Sequence, residues 1–221
     1  MNHARTLNRM TKLAYRSGVR FAFKDTSKMM QTLGKLMFFH PRFLTDTVTV
    51  LGKTVYMPSL DWSRKNPEKA WKSLAHNLVH VGDVASWSVP LYFASYLFPQ
   101  CLAVGALGAI LAPWHPLALH SLWLLLFLLP WPAPFRAYWE LRACALTMAA
   151  ERWSGHVLDQ PPEWMVQDFT GRRFYFMWPF PWLVRWALRR WLQRAKDRKI
   201  LHALPMSVDV CFSIRADSFL R

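Results

Sequence analysis

His76-Asn77-Leu78-Val79-His80 carries two imidazoles four residues apart. On an α-helix that spacing puts both rings on one face, one turn apart, where they can grip a single Zn²⁺ at about 2.0–2.1 Å. Two ligands alone do not hold a metal. Asp83, one further turn along the same face, is a candidate third ligand. Glu140 is the better one, because it stands on a separate helical stretch and can approach from another direction to complete a tetrahedron. Histidines at this spacing also occur as plain surface or capping residues, so the pair does not establish a site by itself. Other chemistries lack their residues. There is no Gly-rich phosphate loop, no Ser or Cys nucleophile in a recognisable elbow and no zinc-ribbon spacing. Cys101, Cys144 and Cys211 are odd in number and irregularly spaced, which gives neither a disulfide framework nor a CxxC metal pair.

The elements that must position these residues are readable in part. Asn66 fits an N-cap, with Pro67 at the first helical position, Glu68 in the first turn and Gly82 as the stop. Along that helix Trp71, Leu74, Ala75, Leu78 and Val79 form one stripe, while His76, His80 and Asp83 share a different face. Tyr138 to Trp153 is rich in good helix formers and ends at Gly155, so Glu140 should ride on a helix that packs back over the histidines.

Between these two helices, residues 84–135 contain no Lys, Arg, Asp or Glu. Two apolar runs, Leu91–Ala112 and Leu117–Leu129, flank Pro113-Trp114-His115-Pro116 and predict two helices lying antiparallel. The first run approaches the ~20 residues that cross a bilayer core of about 30 Å, and the second is shorter. Basic residues flank the stretch on both sides, Lys65, Lys69 and Lys72 before it and Arg136, Arg142 and Arg152 after it. The positive-inside tendency then places both flanks on one side of a membrane, with the hairpin spanning or re-entrant. The alternative is a core hairpin of a soluble bundle, which would need protein on every side.

The remaining segments are peripheral to this arrangement. The stretch to about Arg42 mixes basic residues with Leu33, Leu36, Met37, Phe38 and Phe39, and reads as short amphipathic helices at the edge of the molecule. Thr45 to Met57 alternates β-branched and polar residues around Leu51-Gly52-Lys53, a β-hairpin. Pro58 to Lys65 reads as a polar loop. From Trp182 to Lys199, Val184, Leu188, Trp191, Leu192 and Ala195 make an apolar stripe flanked by Arg185, Arg189, Arg190, Arg194 and Lys196, the pattern of an interfacial helix or of an ordinary docked one. The chain divides as 1–44, a basic amphipathic segment; 45–180, a domain containing the apolar hairpin 84–135; and 181–221, a basic Trp/Arg-rich helix and tail.

Charge and composition bound the partners. The 221 residues carry 28 Lys+Arg against 13 Asp+Glu, a formal net charge of +15, in a chain that is 53% hydrophobic. That balance attracts anionic lipid head groups or nucleic acid. The basic residues are interleaved with Trp and Leu beside a long apolar stretch, which favours lipid. A bilayer met through 84–135 and 182–199 is therefore the expected partner, and membrane association the expected location. Met1 to Lys24 has no apolar run, so no cleavable signal peptide is expected.

Val55-Tyr56-Met57-Pro58, Leu74 to Val81, Phe135 to Ala143 and Phe169 to Pro179 together resemble the zincin-like metallopeptidase proteins encoded by tailed bacteriophages and bacteria. The similarity covers roughly Thr45 to Phe180. It implies a mainly α fold, a zincin-like helical core with one small β-hairpin and a hydrophobic helical hairpin inserted. In that family the helix reads HExxH, with two histidines and a downstream glutamate on zinc and the motif glutamate acting as general base. Carried over, His76, His80 and Glu140 are the zinc ligands, while the base position holds Asn77. An amide orients water but accepts no proton at neutral pH, and loss of a general base costs about 10²–10⁴-fold in rate. Glu68 and Glu151 are the other carboxylates considered for that role, with no spacing that recommends either. The resemblance thus implies a catalytically impaired relative, a component of a phage particle or of the machinery that carries phage into the cell, assembling there with other virion proteins. An active membrane-bound zinc peptidase and a structural or DNA-binding virion protein are the alternatives.

Overall fold

The computed structural model describes residues 2–37, 40–197, 199–204 and 206–215. From the N terminus the elements are α1 (His3–Arg16), β1 (Arg20–Phe23), α2 (Lys28–Leu36), β2 (Thr49–Leu51), β3 (Thr54–Met57), α3 (Leu60–Lys65), α4 (Pro67–Trp87) and α5 (Val89–Tyr96). Two 3-10 helices follow, Gln100–Leu111 and Pro116–Leu128. Then come α6 (Pro134–Trp153), α7 (Glu163–Thr170), α8 (Pro181–Lys196), α9 (Ile200–Ala203) and α10 (Ser207–Arg215). The fold is mainly helical, with one small sheet.

Helix α6 is the centre of the packing. Ala143 through Ala150 are buried without a break, and a helix apolar all round needs neighbours on every side. α4 supplies one neighbour: Trp71, Leu74, Ala75 and Leu78 share a core with Ala143, Leu146 and Ala150. α7 and α8 supply another, where Met148 meets Met165, Phe169, Val184 and Leu188. Small residues on α6 let these helices approach closely, and that approach sets how near Glu140 can come to α4.

The predicted hairpin is β2 and β3, antiparallel with Leu51 opposite Thr54. The two-residue connection starts with Gly52 at φ 60°, a conformation that glycine adopts without steric cost. A third strand was not expected. β1 pairs parallel to β3, Phe21 opposite Val55. The N-terminal segment is therefore not at the edge of the molecule: Met10, Ala14 and Val19 are in the main core, because α1 lies against α4 and β1 completes the sheet. Just after β1, the buried Lys24 donates to Phe43 O at 2.7 Å, Thr49 Oγ1 at 2.7 Å and Thr47 Oγ1 at 3.2 Å, and so fixes the 43–49 segment to the sheet. Burial pushes its ammonium down to about 7. Phe38 and Phe39 lie outside the described residues.

Other expectations change in detail. The supposed loop after Pro58 is α3, capped by Ser59 Oγ accepting from Trp62 N at 3.0 Å. Asn66 does sit at the cap of α4, but its amide donates back to Trp62 O at 3.1 Å and closes α3 instead. Gly82 does not stop α4. A glycine inside a helix costs about 1 kcal/mol, which burial of Val81 and Val84 outweighs. The helix ends at Trp87, where Ser88 turns the chain with φ 73° before Pro90. α8 ends at Lys196 rather than Lys199.

The apolar stretch does form a hairpin. Gly105 lies against Leu124 and Gly108 against Ser121, so the two arms run antiparallel; a Cβ at Gly105 would come within 2.5 Å of Leu124 Cδ1. The first run is not one helix, however. α5 and the first arm meet at a bend of 98° around Pro99, a residue without an N–H to continue the ladder. No single helix among the described residues is long and apolar enough to cross a membrane, while α5 and the first arm reach that length together. Their outer surfaces are bare: Pro116–Leu128 contains no buried residue.

Candidate metal centre

His76 and His80 face α6 from α4, and Glu140 faces back. The two imidazole rings stand edge to face with centroids 5.1 Å apart. His76 Nε2 is 3.2 Å from Glu140 Oε2, and His80 Nε2 is 3.6 Å from Glu140 Oε1. Ligand atoms of all three residues lie within 4.8 Å of one another. For metal bonds near 2.05 Å, a tetrahedral edge is about 3.3 Å, which the two distances to Glu140 approach, so the group could hold a metal ion. Side-chain exposure falls from 24% at His76 to 8% at His80 and 5% at Glu140, leaving one side of the cluster open.

A His–Glu ion pair would explain the His76 contact without any metal. It accounts for His80 less well: the buried Nε2 stands 3.6 Å from Glu140 Oε1, an ion-pair distance but too long for a hydrogen bond. A buried nitrogen without a full hydrogen bond costs up to about 1–3 kcal/mol, and an ion held between it and the carboxylate removes the cost. The donor set fits: two imidazoles and one carboxylate are the ligand types zinc takes when a fourth position stays open. Burial would raise the Glu140 carboxyl, but the charge of His80 and the hydrogen bond and charge of His76 outweigh it and hold the group well below the usual carboxylate range. Glu140 is thus present in the form that ligates.

Asp83 is not part of the cluster. Its carboxylate is taken by Arg142, Nη2 to Oδ1 at 2.7 Å and Nε to Oδ2 at 3.4 Å, a two-point clamp between α4 and α6. The alternative third ligand therefore yields to Glu140. Asn77 is buried, and its amide donates to Ser73 O at 2.7 Å, one turn back along its own helix. Glu68 and Glu151 both bind Lys72, at 2.8 and 3.1 Å. Glu68 is eight residues before His76, about 12 Å along the helix, too far to serve the metal position.

Two residues escaped the sequence reading. Tyr92 and Tyr96, four apart on α5, present their hydroxyls to the cluster: Tyr92 Oη is 3.0 Å from His80 Nδ1, and Tyr96 Oη donates to Glu140 Oε1 at 2.5 Å. Their spacing was visible as one helical face, but both sit inside an apolar run, where a tyrosine reads as interfacial. The thiol of Cys144 is pushed well above its ordinary range by burial, so it stays neutral and supplies no nucleophile. Compared with protein-family models, curated proteins and solved structures, the chain matches none of them.

Proposed function

We infer that this chain is a membrane-associated zincin-like metal protein that has lost peptidase chemistry. The observation that carries the reading is the convergence of His76, His80 and Glu140, with the buried His80 Nε2 held 3.6 Å from Glu140 Oε1, at the foot of a hairpin whose apolar side chains face outward. His76, His80 and Glu140 would hold Zn²⁺, which supplies a Lewis acid at that point. Asn77, an amide that accepts no proton, stands where the resembled family keeps its general base, and the carboxylates that could replace it are held in ion pairs. Asp83 is committed to Arg142, and Glu68 and Glu151 to Lys72.

The membrane half of the reading rests on the hairpin and what surrounds it. Its 3-10 arms rise about 2.0 Å per residue, so 12 and 13 residues reach roughly 24–26 Å, most of a bilayer core. A 3-10 helix pairs its backbone groups within itself except at its ends, as lipid requires. At the base, Ala133 N donates to Met177 O at 2.8 Å, which ties the end of the hairpin to the segment leading into α8. α8 exposes Trp182 and Trp186 among Arg185, Arg189 and Arg190, side chains suited to the head-group layer beside an inserted hairpin. The phage-particle setting rests on the family resemblance alone.

The test is metal content by mass spectrometry of detergent-purified protein, with His80→Ala and Glu140→Ala beside wild type. Stoichiometric zinc in wild type and none in either variant is expected, together with no chelator-sensitive cleavage of an unfolded protein substrate. Wild type free of metal after exposure to zinc overturns the reading. Loss of nucleic-acid binding with rising salt, with no affinity for vesicles, would instead favour the DNA-binding alternative.

A further inference from the structure

Helix α5 is apolar nearly all round and turns its tyrosine hydroxyls inward. Its outward side is apolar, with Val89, Leu91 and Ala94 exposed and Leu97 and Phe98 exposed just beyond its end. Its inward side carries the hydroxyls of Tyr92 and Tyr96, with the two rings stacked at 5.9 Å. A helix of a water-soluble domain is built the other way round.

We propose that α5 is the outer shell of the metal centre and the foot of the lipid-inserted hairpin at once, so that zinc binding and membrane insertion strengthen one another. This rests on the metal and membrane readings above and adds the link between them. If zinc takes Nε2 of His80, the ring proton must sit on Nδ1 and donate to Tyr92 Oη, 3.0 Å away. Tyr92 therefore fixes the ring's orientation, and by accepting from Nδ1–H it supports the ligating tautomer once the ion is bound. Tyr96, donating to Glu140 Oε1, fixes the plane of the carboxylate and leaves Oε2 toward His76. Both are positioning residues.

The same helix is attached firmly to α6 and to the arm. Trp139 Nε1 donates to Ser95 Oγ at 3.1 Å, and Arg136 Nε donates to Tyr96 O at 3.0 Å. At its far end only the bend around Pro99 separates Tyr96 from the first arm. A shift in how the hairpin sits is a shift in where two hydroxyls meet two metal ligands. Lipid that holds the hairpin in its metal-competent seat raises zinc affinity, and zinc raises affinity for lipid by the same factor.

The experiment uses the full chain, Tyr92→Phe and Tyr96→Phe, which keep the rings and remove only the hydroxyls. Vesicles of phosphatidylcholine and phosphatidylglycerol are floated from dilute detergent with zinc or with a chelator, and His80→Ala controls for zinc acting on lipid directly. Zinc should raise wild-type partition about fivefold or more, and the rise should vanish in His80→Ala and shrink in each tyrosine variant. Separately, zinc affinity should fall about 10–100-fold in Tyr92→Phe, with an altered absorption spectrum of the Co²⁺ form, which a loss of stability alone would not produce. A partition that zinc does not change, in protein that binds both zinc and vesicles, overturns the coupling and leaves the functional reading standing. Failure to bind zinc, or failure to bind vesicles, overturns both.

Discussion

Helix α4 buries eleven of its residues and the apolar arm Pro116–Leu128 buries none, although the arm is the more hydrophobic of the two. The difference lies in arrangement. α4 concentrates Trp71, Leu74, Leu78 and Val81 where α6 and α1 can cover them, and keeps Lys69, Lys72 and Ser73 on less buried positions. The arm has leucines at 117, 119, 122, 124, 125, 126 and 128, distributed around every face, so no rotation against one neighbour hides them. A segment of that kind is stable only where its surroundings are apolar too. One region makes its own interior, and the other borrows one.

Three measurements press on that contrast. Leu78→Ala should cost about 2–5 kcal/mol of unfolding free energy in dilute detergent, while Leu125→Ala should cost under about 0.5 kcal/mol. Equal costs would mean that the arm packs against protein and the contrast is false. Next, Leu125→Arg should lower vesicle partition about 100-fold, from the roughly 2.5–3.5 kcal/mol that an arginine costs in the bilayer centre, with the unfolding midpoint unmoved. An arginine tolerated there would place the arm outside the lipid.

The third and smallest effect concerns the one lysine that the core encloses. Lys24 gives up its proton near pH 7 in the folded chain, against an ordinary value of 10.5. Between those values the unfolded state holds the extra proton, so the stability of wild type relative to Lys24→Met should rise with pH. The expected rise is about 1–2 kcal/mol, below the full linkage value because three oxygens around the ammonium stabilise part of its charge. Parallel stability curves for the two proteins would show that Lys24 stays charged throughout.

What could be read in the sequence was local. His76, His80 and Glu140 came from helical spacing and from a helix expected to fold back, and β2 and β3 from alternation around Gly52; the structure brings each group together. What could not be read depended on distant partners or on competition between signals. β1 is four residues whose strand partner among the described residues, β3, begins 34 positions later at Thr54, so nothing nearby marks it. Pro99 was in plain view, but the length of the apolar run around it argued for one continuous helix, and the proline won. Gly82 had the opposite fate, a stop signal overruled by the packing on either side of it. Tyr92 and Tyr96 were hidden by their setting, since only the folded chain shows that their hydroxyls turn inward.

The Asp83–Arg142 clamp has a consequence for how the centre would be loaded. It joins α4 to α6 close to the histidines, and together with the shared core of Leu78 and Leu146 it sets the spacing between the helices that carry the ligands. In small zinc domains the ion gathers its own ligands, and chelation unravels the fold. Here the clamp and the shared core join α4 to α6 without any contribution from the ligand side chains. A frame of that kind keeps α4 and α6 in place whether the cluster is filled or emptied.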